Sequence, residues 1–249
     1  MKSTLESILF IPDVHAPYED TRAFNLMLAA ARRFKPDHIV ILGDFFDMYS
    51  VSSHSKNPNR AFSLKSEIDY SIDLLKKVVA INPSAKKVFL AGNHEDRLTR
   101  YLQDRAPELY NIINLPQILH LDKLGFKYIS YKDHCTIGKL YITHDCGSSG
   151  KYAAFRCAEA FQRNIVSAHT HRLQYLIDGN AEGKRHVSTI FGWLGDINQV
   201  DYMHRIKAAR DWSLGFGIGY LNQSTDFVYL IPTPILKYTC LIEGQLITG

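Results

Sequence analysis

The chain has 249 residues, of which 46% are hydrophobic and 22% are charged, and its formal net charge is +4. This length and apolar content exclude a disordered chain and are enough to build one large globular domain. No stretch approaches the roughly 18 uninterrupted apolar residues of a membrane span, and no secretory cleavage pattern is present, so we expect a cytoplasmic protein without a membrane partner. The small positive charge leaves a nucleic-acid partner open.

The cysteine pattern gives no sign of a zinc ribbon or a dense disulfide scaffold. The four cysteines are Cys135, Cys146, Cys157 and Cys240, and no two of them have the C-x-x-C spacing. This usage favours a reducing compartment. Cys146 lies close in sequence to candidate metal ligands described below, but we expect it to be a small apolar filler.

The first half of the chain alternates short apolar runs with longer helical patterns. In chain order we predict a strand over 7–11, a helix over 21–34, a strand over 38–42, a helix over 63–81, a strand over 87–91 and a helix over 95–104. This β-α-β-α-β-α alternation is typical of a parallel sheet that is covered by helices.

The longest of these helices, over 63–81, has Ser63 and Ser66 as candidate N-caps. Its predicted apolar face consists of Leu64, Ile68, Ile72, Leu75 and Val79. The pair Asn82-Pro83 is predicted to end the helix.

Short strand-like runs dominate after about residue 125. We predict strands over 126–131, 140–143, 164–168, 186–190, 227–231 and 235–242, with one helix over 152–162. No linker composition and no fixed-period repeat divides the chain, so residues 1–249 are predicted to form a single two-sheet α/β domain. The aromatic segment over 212–249 has the pattern of core strands of a second sheet rather than of a binding surface.

Side chains of the kind that bind metal ions follow the predicted strands. They are Asp13 and His15 after the first strand, Asp44 after the second, Asn93 and His94 after the third, His144 after the run 140–143, and His169 and His171 after the run 164–168. In open α/β sheets, ligands bind in the crevice outside the carboxyl ends of the strands. We therefore expect these side chains to meet at one edge of the sheet.

Each of these positions has an ordinary structural explanation when it is considered alone. An aspartate after a strand is usually a turn former or a helix cap, and a lone histidine is more often a surface or core residue. Five such strand ends in this order are difficult to explain by chance, because the motif and its predicted context agree each time. The joint pattern therefore predicts a metal site.

The combined motifs resemble those of the calcineurin-like metallophosphoesterase superfamily. They are Asp13-x-His15, Gly43-Asp44-x-x-Asp47, Gly92-Asn93-His94-Glu95, His144 and His169-x-His171, and they span residues 13–171. The resemblance implies an α-β-β-α sandwich of two sheets, and the chain is also similar to small phosphoesterases of phages and bacteria. Ala168 and Asp145 stand where the family usually has glycine, which removes no ligand but can alter the shape of these loops.

The resemblance also implies the metal ligands. Asp13, His15 and His171 hold one ion, Asn93, His144 and His169 hold a second, and Asp44 bridges the two. Histidine nitrogen and carboxylate oxygen suit manganese, iron, zinc or nickel, and of these we expect manganese. Two divalent ions about 3.5–4 Å apart can clamp a phosphoryl group and activate a water between them. The implied activity is hydrolysis of phosphate esters, as a phosphatase or a phosphodiesterase.

Further residues are candidates for catalysis. His94 is predicted to face the leaving-group oxygen as general acid, because Asn93 beside it supplies the metal contact. By family analogy Asp47 orients that imidazole, although from the residues alone it could equally cap the next segment. Arg97 and Arg100 could reach a phosphate bidentately, or simply lie on a solvated helix face.

No H-E-x-x-H, P-loop or G-x-S-x-G motif points to another class of enzyme. Two alternatives to a small phosphoesterase stay open. A nuclease similar to double-strand-break repair enzymes would share the motif around Asp44 and would require a basic strip for the phosphate backbone. The candidate basic segments, at 32–33, 86–87 and 204–207, are dispersed, so we slightly favour a small or protein phosphoester over DNA. A non-catalytic scaffold on the same fold would have lost a ligand or the acid, and none is lost here. The sequence predicts no oligomeric state.

Overall fold

A computed structural model of the protein describes residues 5–57, 60, 62–200, 211–222 and 227–249. The strands are β1 Leu5–Ile11, β2 His38–Ile41, β3 Lys86–Leu90, β4 Phe126–Ile129, β5 Cys135–Ile137, β6 Leu140–Ile142, β7 Ile165–Ser167, β8 Leu173–Gly179, β9 Arg185–Phe191, β10 Gly215–Asn222, β11 Phe227–Pro234, β12 Thr239–Ile242 and β13 Gln245–Thr248. The α-helices are α1 Thr21–Phe34, α2 Leu64–Val79, α3 Asp96–Arg105, α4 Leu115–Ile118 and α5 Ala153–Phe161. Across these described segments, no helix combines the length and the hydrophobicity needed to cross a bilayer.

The first sheet has six strands in the order β11-β10-β1-β2-β3-β4. Strands β1 to β4 are parallel, because helical crossovers return the chain to the same end of the sheet each time. The first crossover helix, α1, begins after Asp20, whose side chain accepts a hydrogen bond from the Ala23 amide, and ends at Lys35 before Pro36. The predicted parallel sheet and the predicted bounds of this helix are confirmed.

The second sheet has five strands in the order β5-β6-β7-β9-β8. Strands β6, β7 and β9 are parallel, whereas the two edge strands β5 and β8 run antiparallel to their neighbours. The carboxyl ends of β6 and β7 therefore point the same way, so that the loops that follow them share one edge of this sheet.

The two sheets pack face to face and helices cover their outer faces. Between the sheets, the ring of Phe10 on β1 stacks on Phe191 of β9 at a centroid distance of 5.1 Å. On the outer side of the first sheet, Ile11 joins the core cluster formed with α1 and α2, and on the outer side of the second sheet Ala153 of α5 packs with Ile190. The expected α-β-β-α sandwich is confirmed.

The carboxyl-terminal segment differs from its prediction in two respects. Strands β10 and β11 extend the first sheet instead of belonging to the second, although Phe216 on β10 is fully buried as expected of a core strand. The single strand predicted over 235–242 is wrong, because Lys237 and Tyr238 adopt positive φ angles of 49° and 56° and reverse the chain. The hairpin β12–β13 then forms its own small sheet.

Three strands were not foreseen from the sequence pattern, and the face predicted for α2 is only partly correct. Strands β5, β8 and β13 lie at sheet edges or in the small hairpin, where one-sided pairing leaves a weak alternation of apolar residues. The buried face of α2 consists of Glu67, Ser71, Leu74, Leu75 and Val78. Of the predicted face, Leu75 is fully buried and Leu64, Ile68 and Val79 pack partly buried against the same core, while a carboxylate and a hydroxyl lie at the centre of the fully buried face.

The expectation that Cys146 is a free apolar filler is wrong. Cys146 forms a disulfide with Cys157 of α5, with a Cα–Cα distance of 5.9 Å, which suits disulfide geometry. The bond ties the loop after β6 to α5, while Cys135 and Cys240 are free and buried. The cysteine pattern therefore no longer supports a reducing compartment, and the cytoplasmic location stays a prediction.

Candidate metal centre and active site

The loops that follow five strands meet at one edge of the sandwich. The first sheet contributes the loops after β1, β2 and β3, and the second contributes those after β6 and β7. Five of the predicted ligands lie in the left-handed region, with φ angles of 31° at Asp13, 55° at His15, 50° at Asp44, 69° at His169 and 58° at His171. Non-glycine residues rarely adopt this conformation, which costs of order 1–3 kcal/mol each and is concentrated at functional sites.

A first group of ligand atoms forms around His15 and His171. Their Nε2 atoms lie 3.1 Å apart, and the Nε2 of His171 lies 3.5 Å from an Oδ1 of Asp13. Asp13, His15, Asp44 and His171 are all buried, and each has a ligand atom within 4.8 Å of those of the others. Two imidazole nitrogens and two carboxylates that converge in this way suit a divalent transition-metal ion.

A second group forms around His144 and shares Asp44 with the first. The Nε2 of His144 lies 3.4 Å from Asp44 Oδ2 and 3.2 Å from Asn93 Oδ1, and His169 completes the group. The Nδ1 of His144 donates to the backbone carbonyl of Leu42 at 2.6 Å. That bond leaves Nε2 as the ring nitrogen that faces the carboxylate, as in metal-binding histidines.

The electrostatics of the cluster favour a positive charge. Burial by itself lowers the pKa of His144, but the charge of Asp44 and its hydrogen bond outweigh burial and raise the pKa to about 10. Burial raises the pKa of Asp44, yet the charge of His144 and its hydrogen bond hold it well below its usual range. In the described structure the Nδ1 of His169 is buried without a hydrogen-bond partner, as expected of an atom available to a cation. The residues present therefore fit metal ions.

Asp47, His94 and Arg97 lie together at the side of this cluster. The Nδ1 of His94 donates to the backbone carbonyl of Asp47 at 3.0 Å. Arg97 donates to the same carbonyl at 2.7 Å, and its Nη2 lies 2.9 Å from the Nε2 of His94. The Asp47 carboxylate lies 3.6 Å from the Nδ1 of both His94 and His15. The imidazole of His94 is thus oriented by the backbone of Asp47 rather than by its carboxylate.

Burial and charge set the protonation of this group. Burial is the largest influence on His94 and, with the nearby His15 and Arg97, lowers the pKa of its imidazole to about 3 in spite of Asp44 and Asp47. Burial raises the pKa of Asp47, but hydrogen bonding with His15 and the nearby charge of Arg97 help to lower it to about 2. Asp47 is therefore ionised and His94 neutral in this arrangement.

Glu95 organises the loops, a role that the sequence analysis did not assign. Its buried carboxylate accepts hydrogen bonds from three backbone amides, those of Asp44 at 2.9 Å, Phe46 at 2.9 Å and Gly92 at 2.7 Å. Gly92 also permits the close approach of the two loops, since a Cβ there would lie 2.8 Å from Cγ of Asp44. In the sequence, the only indication of this role was the position of Glu95 directly after His94, inside the motif that carries the candidate ligands.

Two tryptophans support the ring of His171 and were also missed. Trp193 stacks on this ring at 4.8 Å with an interplanar angle of 14°, and Trp212 contacts it edge-on at 4.2 Å. Trp193 lies two residues after the end of β9. The rule that residues after parallel strands meet at one edge of the sheet, which predicted the ligands, therefore also predicts a position near the site for Trp193. Stacked aromatic rings restrict the orientation of His171.

A cavity of about 850 Å³ opens beside the ligand cluster. Its described lining includes His94 and Arg97 together with Lys56 and Arg60 from the loop before α2. His54 also lines the cavity. Arg100 instead donates to the Asn93 carbonyl at 3.0 Å and pairs with Asp96.

The basic segments considered for a nucleic-acid strip do not lie at this cluster. Residues 32–33 end α1 and residues 86–87 begin β3, so both adjoin the amino ends of the parallel strands, opposite the ligand-bearing loops. The segment 204–207 lies outside the described residues. The two described segments, 32–33 and 86–87, therefore do not form a basic strip beside the ligand cluster.

The structure is thus a two-sheet α/β sandwich with histidine and carboxylate groups at its strand ends that could hold metal ions. A family model for calcineurin-like phosphoesterases matches residues 6–221. The chain therefore belongs to the calcineurin-like phosphoesterase family, whose members are typically dependent on two metal ions, and this makes it a phosphoester hydrolase by family.

Individual relatives are distant. The chain is 22% identical over 239 residues to the Gene 54 protein of Mycobacterium phage D29, and the aligned region covers 85% of this chain and 87% of the relative. It is 24% identical to the Gene 54 protein of Mycobacterium phage L5 over 66% of this chain and 69% of the relative. Among solved structures, a phosphatase from Mycoplasma pneumoniae has a TM-score of 0.48 at 12% identity, with 92% of this chain and 93% of that chain covered. Vacuolar protein sorting 29 from Cryptosporidium parvum has a TM-score of 0.46 at 14% identity, with coverages of 97% and 94%.

Proposed function

We propose that the protein hydrolyses small phosphate esters at a pair of divalent metal ions, with manganese as the natural ion. The observation that carries the proposal is the presence of two groups of ligand atoms that share Asp44, one of them fully buried and the other with only His169 partly exposed. Asp13, His15 and His171 would hold one ion, and Asn93, His144 and His169 the other. When bound, such a pair clamps the phosphoryl group and activates a water for attack. Nitrogen and oxygen donors suit manganese, and Cys146 offers no competing thiolate because it is in a disulfide.

The chain's own residues supply binding and proton transfer. Arg97 binds a phosphate oxygen, for which it must turn away from the Nε2 of His94 that it contacts in the structure. His94 then takes a proton from solvent on Nε2 and gives it to the leaving oxygen as the P–O ester bond breaks. The attacking water bonds to phosphorus through its oxygen and releases one proton to solvent, so that protons balance. Asp47 holds the imidazole through its carbonyl and stabilises its positive charge through its carboxylate.

The carboxyl-terminal strands lie beyond the segment matched by the family model, and we propose that they complete the same domain over 1–249. Strand β11 pairs along β10 of the first sheet. Arg22 on α1 donates to the carbonyl of Gly249 at 2.8 Å, and the Tyr238 hydroxyl donates to Asp20 at 3.0 Å. These contacts support a terminal hairpin that folds with the domain.

The proposal is tested by hydrolysis of 4-nitrophenyl phosphate and bis(4-nitrophenyl) phosphate with added manganese. We expect turnover by the wild-type protein and two bound metal ions per chain, and loss of turnover in Asp44→Asn. Asp73→Asn is a matched control, because Asp73 is exposed and pairs only with Lys76 in the described structure. Full activity in Asp44→Asn refutes the proposal. A strong preference for the diester favours the nuclease alternative, for which DNA ends are the next substrate.

The role of His94 is tested separately by the leaving group. In His94→Gln we expect kcat to fall by about 10²–10⁴ for an alkyl phosphate, whose leaving oxygen needs a proton. The loss is smaller for 4-nitrophenyl phosphate, whose leaving group departs as an anion. An equal loss for both substrates contradicts the general-acid role.

A further inference from the structure

The carboxylate of Asp47 faces two imidazole rings, and only one of them has a closer partner. Its Oδ2 lies 3.6 Å from the Nδ1 of His94 and 3.6 Å from the Nδ1 of His15. The Nδ1 of His94 also donates to the backbone carbonyl of Asp47, at the shorter distance of 3.0 Å. Because this carbonyl already holds His94, the carboxylate is left to serve His15.

The two ring nitrogens of His15 face different parts of the site. Its Nε2 lies 3.1 Å from the Nε2 of His171, within the first group of ligand atoms. Its Nδ1 faces Asp47, which is the carboxylate at ion-pair distance from His15 in the described part of the chain. A neutral imidazole that uses Nε2 as a metal ligand carries its proton on Nδ1. The Nδ1–H of His15 is then directed at the carboxylate of Asp47.

The carboxylate of Asp47 is held from both sides. Its Oδ2 faces the two histidines, while its Oδ1 lies 3.4 Å from Nη1 of Arg97 and 4.0 Å from Nη1 of Arg60. His15, Asp47 and His94 form a third group of ligand-type atoms within 4.8 Å of one another. A metal ion in this third group would meet the positive charges of both arginines. The carboxylate is therefore suited to accept a hydrogen bond rather than to bind an ion.

The contact between His15 and Asp47 is shielded from water. The two side chains are only 6% and 11% exposed, and Asp47 is ionised. A hydrogen bond to an ionised acceptor is roughly twice as strong as one between neutral groups. Metal-binding histidines almost always donate their second ring N–H to a carboxylate, a carbonyl or water. His144 does so to the carbonyl of Leu42, and Asp47 is placed to do the same for His15.

We propose that Asp47 is a positioning residue for the metal ligand His15. Its carboxylate accepts the Nδ1–H of His15, holds the ring with Nε2 toward Asp13 and His171, and makes Nε2 a stronger donor to an ion. The inference rests on the proposed function, since it concerns one of the two ions of the same site. It differs from the role that family analogy gives Asp47, because that role acts through His94. Asp47 therefore strengthens the binding of one ion and not of the other.

Manganese titration of the full chain by calorimetry tests this role with Asp47→Asn, which keeps the backbone carbonyl that holds His94. We expect the wild-type protein to bind two ions. Asp47→Asn raises the Kd of one of them by about 10–100-fold and leaves the Kd of the other nearly unchanged. Asp73→Asn is the matched control, because it removes an aspartate charge from an exposed position on α2, and it leaves both Kd values unchanged.

Double variants identify the ring through which Asp47 acts. In His15→Ala one ion is expected to remain, and the addition of Asp47→Asn leaves its Kd unchanged. In His94→Gln both ions remain, and the addition of Asp47→Asn weakens one of them by the same factor as in the wild-type background. An effect of Asp47→Asn that persists in His15→Ala, or that disappears in His94→Gln, overturns the proposal.

Nitrogen NMR of the zinc-loaded wild-type protein needs no substitution at Asp47 and decides the question if Asp47→Asn fails to fold. We expect His15 to carry its ring proton on Nδ1 in slow exchange with water, and a proton on Nε2 overturns the proposal. Wild-type Kd values for both ions in Asp47→Asn overturn the positioning role alone. A wild-type protein that binds two ions but hydrolyses no phosphate ester refutes only the proposed activity, and one that binds no ion refutes both proposals.

Discussion

Glu95 provides a sharp test of how the site is held together. Its carboxylate accepts hydrogen bonds from the amides of Asp44, Phe46 and Gly92 through both oxygens, with Oε2 accepting two of them. The substitution Glu95→Gln keeps the size of the side chain but replaces one acceptor oxygen by an NH₂ donor. If the new side-chain NH₂ takes the place of Oε1, one backbone amide loses its acceptor and faces another donor. If it takes the place of Oε2, two backbone amides lose their acceptor.

The expected cost follows from the number of lost acceptors. Each buried amide that loses its partner costs about 1–3 kcal/mol, so we expect Glu95→Gln to lower the free energy of unfolding by about 2–5 kcal/mol. The loops that carry Asp44 and Asn93 also lose their common anchor. Loss of such outer hydrogen bonds typically weakens metal affinity by about 10–100-fold.

Urea denaturation followed by tryptophan fluorescence measures the first effect, and manganese titration by calorimetry measures the second. Both are carried out at pH 8, because burial and the nearby Asp44 raise the pKa of Glu95 to about 7 and the carboxylate must be ionised. Glu159→Gln is the control, since Glu159 is exposed on α5. A Glu95→Gln variant with unchanged stability and metal affinity would refute the role assigned to Glu95.

Three further predictions concern the framework of the site. Burial raises the pKa of Glu67 from its ordinary value of 4.5 to about 8, so the folded chain keeps a proton that the unfolded chain releases, and stability falls as the pH rises from 4.5 through 8. Glu67→Gln removes this fall, on the order of 5 kcal/mol, as measured by urea denaturation across that range; an unchanged pH profile contradicts it. Gly92→Ala places a Cβ 2.8 Å from Cγ of Asp44 and is expected to reduce bound manganese below two ions per chain, as determined by elemental analysis; full occupancy argues against the close approach. Reduction of Cys146–Cys157, which are 11 residues apart, is expected to lower the free energy of unfolding by about 3 kcal/mol, and identical denaturation curves with and without reductant would show that the bond is absent in solution.

The parallel half of the fold was predictable because its signals are local. Helix α1 begins at an aspartate that caps it and ends before a proline, and both residues are visible in the sequence. The carboxyl-terminal hairpin was not predictable, because Lys237 and Tyr238 turn the chain in the left-handed region without the glycine or asparagine that usually marks such a turn. Here the contacts of the finished domain, such as the Tyr238 hydroxyl on Asp20, outweigh local preference.

The ligand positions were predictable for a different reason. Parallel strands bring their carboxyl ends to one edge, so a polar residue after each strand is placed near the others without knowledge of any contact. Residues that arrive by tertiary packing have no such rule. Arg60 is placed by the rings of Tyr18 and Tyr49, and Glu67 by the packing of α2 against the loop at Met48. Neither belongs to a motif.

Hydrogen bonds formed by tertiary packing also explain how the ligand loops keep their unfavourable left-handed backbone conformation. Asp13, Asp44 and His169 have positive φ angles, and each of these residues has a hydrogen bond that holds it there. The amide of His169 donates to the carboxylate of Asp13 at 3.2 Å, and the amide of Asp44 donates to Glu95. Because these bonds lie within the chain, the ligand geometry is in place before an ion binds, and metal affinity should then depend on buried anchors such as Glu95 as well as on the ligands themselves.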